Sequence, residues 1–309
     1  MSTPATRGKA FEFATIREIV NTLGASPFSN HTVNFINDGG QTSFNSLSIQ
    51  EQNKMNQAAH ALVQQLLILE PWIEDHRLEV EYVVTVSGTP DVVDVYLHVC
   101  NRKVGISLKS NHDAARHSRV SPRIDVAQAW LGLDTNQEYM QSIQRIFTDF
   151  LAYCENNNIT LYRELTANQK DELLYSPVTC AFETLLQESL VNNQQSLPAL
   201  SNMISYLIGN NDFYKASANF NRGQLTLMAF DLRNTLSPNQ VLTLPTQCLN
   251  ISRPTRNNNM HNYINIECNN SWEIEMRIHN ASSRIENSLK WDVKLKSIPQ
   301  NIWTNTIQF

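Results

Sequence analysis

Asp94 and Lys109 are the residues whose types and spacing most plainly suit chemistry. Asp94 opens the body of a short apolar run, DVVDVYLHVC. A basic turn, NRK, leads into a second run, VGISLK, which ends in Lys109. A carboxylate offers the hard oxygen that magnesium prefers. A lysine beside it can orient or deprotonate an attacking water and offset charge on a phosphate. Side chains alternate across a strand, so Asp94 shares a face with Tyr96 and His98, and Lys109 shares one with Ser107 and Gly105. With the aliphatic residues turned to a core, such a hairpin presents Asp94, Ser107 and Lys109 together on its polar side. Asp91, at the mouth of the first run, is the alternative acid. The plain alternative to all of this is a solvated hairpin face without chemistry.

An acid, a spacer and then x-x-Lys on the adjoining strand is the arrangement of the PD-(D/E)xK nucleases, and Pro90-Asp91 supplies a literal PD. Ser107 stands where that pattern carries an acid. Serine is a poor magnesium ligand, so a further carboxylate is required. Glu12, inside GKAFEFA, and Asp125, at the head of DVAQAWLGL, are the candidates. Their ordinary readings are a solvated helix residue for Glu12 and a helix N-cap for Asp125.

The segment behind the lysine, SNHDAARHSRVSPR, carries Asn111, His112, Arg116, His117, Arg119 and Arg123. That composition suits contacts to phosphates and base edges. A surface helix with idle charges is its alternative. The net charge of −5 does not oppose this reading, because binding depends on local fields. From Asn111 to Arg123 there are three arginines and two histidines against one acid, whereas from Asp134 to Glu188 nine acids face three bases.

The elements that must position these residues are legible from periodicity. GKAFEFATIREIVNTLG reads as a helix stopped by Gly24, and residues 25–44 read as a loop. SIQEQNKMNQAAHALVQQLLILEPW is a helix with a Ser48/Glu51 capping box and a stop at Pro71. RLEVEYVVTV, DVVDVYLHVC and VGISLK form a three-stranded meander. The chain then reads mostly helical to about Gly209, and β patterning returns in GQLTLMAF, YINIEC, SWEIEMRIH and SLKWDVKL. The expected division is 1–133 as a core with the hairpin, 134–215 as an acidic helical region and 216–309 as a β region. The five cysteines form no CxxC or Cys/His cluster, which points to reduced thiols in a cytosol and against a zinc site. No apolar run is long enough to span a bilayer, and the first residues do not resemble a secretory signal.

ISLKSNHDAARHSRVS, the downstream WLG, GKAFEFA, and RIHNASSRIENSLKWDVKL near the C-terminus resemble the HaeIII-like type II restriction endonucleases. The resemblance implies a mixed α/β (α+β) fold with a PD-(D/E)xK core, a mixed sheet flanked by helices, an added helical region and a C-terminal β region. It implies Mg²⁺-dependent cleavage of both strands of a short palindrome, GGCC being the family's usual site. Lys109 matches the motif lysine and Asp94 the acid. Asp94 and the carbonyl of Leu108 would hold the metal, with Glu12 or Asp125 completing its shell and Ser107 and Asp91 beside them. Arg277, His279, Asn280, Ser282, Ser283 and Arg284 in the C-terminal hairpin would read bases, against the alternative of an exposed edge hairpin. Expected partners are double-stranded DNA, a cognate methyltransferase acting functionally rather than by contact, and a second copy in a homodimer; the expected location is the cytoplasm. The rival readings are a non-catalytic DNA-binding protein on the same fold and a structure-selective repair nuclease.

Overall fold

The computed structural model describes residues 3–83, 92–110, 116–192, 196–255, 261–297 and 299–309. Asp91, Asn111 and His112 lie outside them. The first elements are α1 (Pro4–Leu23), β1 (Ser26–Pro27), α2 (Asn30–Asn34), α3 (Gly40–Asn45) and α4 (Ile49–Leu69). Next come β2 (Glu79–Tyr82), β3 (Val95–Val99), β4 (Arg102–Ser110) and β5 (Arg116–Val120). The middle carries α5 (Gln137–Asn156), α6 (Ala167–Lys170), α7 (Ser176–Leu190) and α8 (Ser196–Ile208). The remainder is β6 (Phe213–Asn219), β7 (Gln224–Phe230), β8 (Cys248–Ser252), β9 (Tyr263–Cys268), β10 (Trp272–Asn280), β11 (Leu289–Leu295) and β12 (Trp303–Gln308).

Two compact units result. One comprises Met1–Asp113, Asn210–Leu242 and Asn301–Phe309; the other comprises Ala114–Gly209 and Thr243–Gln300. These units cut across the sequential three-part division, because residues 210–242 and 301–309 add strands to the first unit. Its seven-stranded mixed sheet runs β1-β2-β3-β4-β6-β7-β12. β4 is central, antiparallel to β3 and parallel to β6.

One face of this sheet is dry because two amphipathic helices cover it. Phe11, Phe13, Ile16 and Ile19 of α1 and Leu62, Val63 and Leu66 of α4 pack with Val95, Leu97, Ile106, Tyr214 and Leu227. Each such side chain contributes about 1.5–3 kcal/mol relative to exposure. α4 begins where the sequence predicts, whereas α1 begins at Pro4, ahead of the segment GKAFEFATIREIVNTLG that reads as helix. The Thr3 hydroxyl accepts from Thr6 N–H and Pro4 opens α1, while Ser48 and Glu51 form the capping box of α4. Gly24 ends α1 in the left-handed region, at φ 66°.

The stretch 25–44 departs from its reading as a loop. It folds into β1, α2, a π-helical turn over Phe35–Gly39 and α3. Asn, Gly and Ser disfavour helix by propensity, but burial of Thr32, Phe35 and Phe44 outweighs that preference.

The second unit holds an antiparallel five-stranded sheet, β5-β11-β10-β9-β8. Its apolar face is the one the sequence predicts: Trp272, Ile274, Met276, Ile278, Leu289, Trp291 and Val293 are all buried. Trp291 packs on Phe182 of α7, which in turn meets Trp130 edge-on. Two of the plain alternatives are set aside here. Arg116–Val120 is a strand and not a surface helix, because pairing with β11 satisfies its backbone. β10 and β11 are interior strands and not an edge hairpin, because β5 and β9 flank them.

Candidate active site

Asp94 sits where two ladders meet. Its N–H donates to the Ile106 carbonyl at 2.9 Å, and its carbonyl accepts from Val83 N–H at 3.0 Å. These bonds fix the register that points its carboxylate at the end of β4. Gly105 allows the close approach: a Cβ there would lie 2.7 Å from Val93 Cγ2 and 3.0 Å from Tyr96 Cε1.

The Asp94 carboxylate then gathers the motif residues. Oδ2 accepts from Leu108 N–H at 2.6 Å, from Ser107 Oγ at 3.3 Å and from Lys109 Nζ at 3.3 Å. Oδ1 takes none of these three bonds. Ser107 is buried, and the Lys109 and Asp94 side chains are only 18% and 16% exposed. This is not a solvated hairpin face. An ion pair so poorly screened interacts more strongly than one on the open surface.

Glu12 of α1 joins this group. Burial and the neighbouring Asp94 carboxylate push its carboxyl up to about 7, although a hydrogen bond from Tyr82 and the charges of Lys109 and Lys9 pull the other way. Two adjacent carboxylates with one raised above the ordinary range form an arrangement that a divalent cation relieves. Magnesium is commonly held by one or two carboxylates plus waters and phosphate oxygens, and Glu12 with Asp94 fits that donor set.

Tyr82 is a participant the sequence reading does not single out. Its hydroxyl donates to Glu12. Its ring stacks on Phe35 at 3.6 Å between centroids, and its N–H donates to Thr32 Oγ1 at 3.0 Å. The segment read as a loop thus holds the tyrosine that orients Glu12. The one signal in the sequence is that Tyr82 ends the alternating run LEVEY.

Asp125 makes the bond that its reading as a helix cap calls for. It lies in the second unit, and its Oδ1 accepts from Gln128 N–H at 3.1 Å, which is a capping bond at the turn Ala127–Leu131. In the same unit, Arg119 donates to Ser288 Oγ at 3.0 Å, and Arg116 and His117 are placed by their backbone in β5. Arg277 is exposed on β10, opposite Asp292, and His279 Nε2 lies 3.1 Å from Asp292. The loop after β10 is tied down. The Ser283 carbonyl accepts from Tyr162 N–H, Ile285 N–H donates to the Thr160 carbonyl, and Ser282 Oγ donates to the Arg284 carbonyl. The Asn280 side chain donates to the Ser282 carbonyl.

A half-buried Asp–Lys pair with a second carboxylate, at the end of a mixed sheet backed by helices, suits a hydrolase acting on phosphodiesters. Comparison with known proteins makes this class definite. The family model of the HaeIII restriction endonuclease matches residues 8–299. The type II restriction enzyme HaeIII of Haemophilus aegyptius is 30% identical over 315 aligned positions, spanning 96% of this chain and 95% of that protein. No solved structure matches the chain. The chain belongs to the HaeIII restriction endonuclease family, whose members are type II site-specific deoxyribonucleases.

Proposed function

We propose that the chain cuts both strands of a short palindromic DNA site, GGCC, using Mg²⁺ at Glu12, Asp94 and the Leu108 carbonyl on a PD-(D/E)xK core. The observation that carries this reading is the convergence of Asp94, Lys109 and Glu12 at the end of β4. A divalent cation bound there supplies charge to the scissile phosphate and acidifies water. The chain's own residues do the rest. Asp94 is held in place by Leu108 N–H and Ser107 Oγ, so it meets its ligand without rearranging. Tyr82 holds Glu12 in the same way. Lys109 orients the attacking water and balances charge developing on the phosphate oxygens. Water oxygen bonds to phosphorus and the P–O3′ bond breaks, leaving 5′-phosphate and 3′-hydroxyl ends.

Arg277 and His279, with Asn280, Ser282, Ser283 and Arg284 beyond them, are proposed to face base edges. A two-fold palindrome suits a homodimer, in which each copy treats one strand alike. The host must methylate its own sites, so a cognate methyltransferase is the expected functional partner. Among the described residues no helix is long and apolar enough to cross a membrane. Cytoplasmic location is part of the proposal.

Ser107 in place of an acid favours one second reading, a DNA-binding protein without cleavage. Plasmid digestion with and without Mg²⁺ separates the two. Discrete fragments support the nuclease, uncut plasmid with retained binding supports the binder, and cutting confined to branched DNA supports a repair enzyme.

A further inference from the structure

The polar face of the second unit's sheet sets two cationic side chains directly opposite one another on adjacent strands. Arg119 of β5 is the Cα partner of Lys290 of β11, and Lys290 is in turn the partner of His279 of β10. Paired residues point to one face, and neighbouring strands lie about 4.8 Å apart. Three basic side chains therefore stand in a row across three adjacent interior strands. Like charges directly opposite one another are destabilising.

Counter-charge is present at the two ends of the row. Arg119 lies 3.9 Å from Glu286 and donates to Ser288. His279 Nδ1 donates to the Asn280 carbonyl while Nε2 faces Asp292. The middle is different: among the described residues Lys290 makes no ion pair, although it is half-buried. Its neighbour Trp291 points to the opposite, apolar face and is fully buried, which fixes the side from which Lys290 projects. Lys294, two pleats further along β11, stands opposite Glu275, so the rest of the strand is closer to balance. Arg277 is exposed on the same face one row away.

We propose that Lys290, with Arg119 opposite it on β5, forms a phosphate-binding strip that lays the backbone of duplex DNA along the sheet face beside the base-facing His279 and Arg277. The proposal rests on the nuclease reading above and assigns a part to a lysine of the segment RIHNASSRIENSLKWDVKL that has no role in that reading. A polyanion relieves the repulsion that the fold otherwise carries, and a sheet face of two or three strands is a known reader of duplex DNA.

The test uses the full-length protein without metal, GGCC and scrambled duplexes of equal length, and binding titrations at several potassium chloride concentrations. Lys290→Gln should weaken both duplexes alike and make the salt dependence shallower by about one unit of slope, the loss expected for one phosphate contact. Its melting midpoint should equal or exceed that of the wild type, because a like-charge row has been relieved. Lys290→Arg should bind nearly as the wild type does. Lys170→Gln, which removes the same charge elsewhere in that unit, should leave affinity and slope unchanged. Unaltered affinity and slope in Lys290→Gln overturn the strip. So does a loss confined to GGCC, which marks a base reader, or a lowered melting midpoint with binding regained on cooling, which marks a structural lysine. A wild-type protein that cuts GGCC while Lys290→Gln binds normally rejects the strip alone; a wild type that binds neither duplex rejects the nuclease reading as well.

Discussion

The proposed role of Lys109 is to act on water rather than on bases, and its ammonium is engaged with Asp94 at the end of β4. Lys109→Ala is therefore expected to lower the cleavage rate by about 10²–10⁴-fold. Affinity for the same duplex, measured by gel shift, should stay within a few-fold. Asp94→Ala should be as inactive and should also lose divalent-metal binding in calorimetry. Glu12 gives a pH signature in the metal-free protein. Its folded value is raised to about 7 from an ordinary carboxyl value. A group raised on folding favours the folded state at low pH, and that contribution disappears as pH rises through the folded value. The melting midpoint of wild type relative to Glu12→Gln should thus fall between about pH 4.5 and pH 7, the window set by the ordinary and folded values. A difference that stays flat across this window would contradict the buried, Asp94-coupled placement. Asp125→Ala should cost about 1 kcal/mol of stability, as a lost cap does, and leave cleavage intact. Loss of activity rescued by Mn²⁺ would instead make Asp125 a ligand.

At the scale of elements, the hairpin β3–β4 is the most exposed to a single change. Gly105→Ala places a methyl 2.7 Å from Val93 and 3.1 Å from Phe213 Cβ. Overpacking of this kind costs about 1–3 kcal/mol. The variant should melt early and cleave poorly, because the shift propagates to Asp94. The β10–β11 pair makes a second prediction. Arg277→Ala should cost about 1–3 kcal/mol on GGCC and little on scrambled DNA if it reads guanine; equal losses would assign it to the backbone.

Much of this was legible beforehand. Helix α1 announces itself through Phe13, Ile16 and Val20 with Gly24, and the inward face of β10 through Trp272, Ile274, Met276 and Ile278. Local signals suffice where the residue's own neighbours in sequence decide its place. They fail where a distant partner decides. Residues 25–44 fold because Phe35 finds Tyr82. β5 is a strand because β11 offers it a ladder. The bond from Gln128 N–H to Asp125 is likewise not readable from spacing, which leaves cap and ligand both open.

At the scale of the whole molecule, the proposed function divides its labour between the two units. The first carries the acids and lysine at the end of its mixed sheet; the second carries the basic row and Arg277 on an antiparallel sheet. Chain segments alternate between the units, so neither can be removed by truncation at a single point. The central claim is that these parts amount to a metal-dependent, site-specific nuclease. The most direct measurement is digestion of a sequenced plasmid by the wild-type protein with Mg²⁺, followed by mapping of the fragment ends. The account predicts discrete fragments that all begin and end within GGCC, with 5′-phosphate and 3′-hydroxyl ends, and no cutting when the metal is chelated. Ends scattered over unrelated sequences, or equal cutting in the presence of chelator, would contradict it.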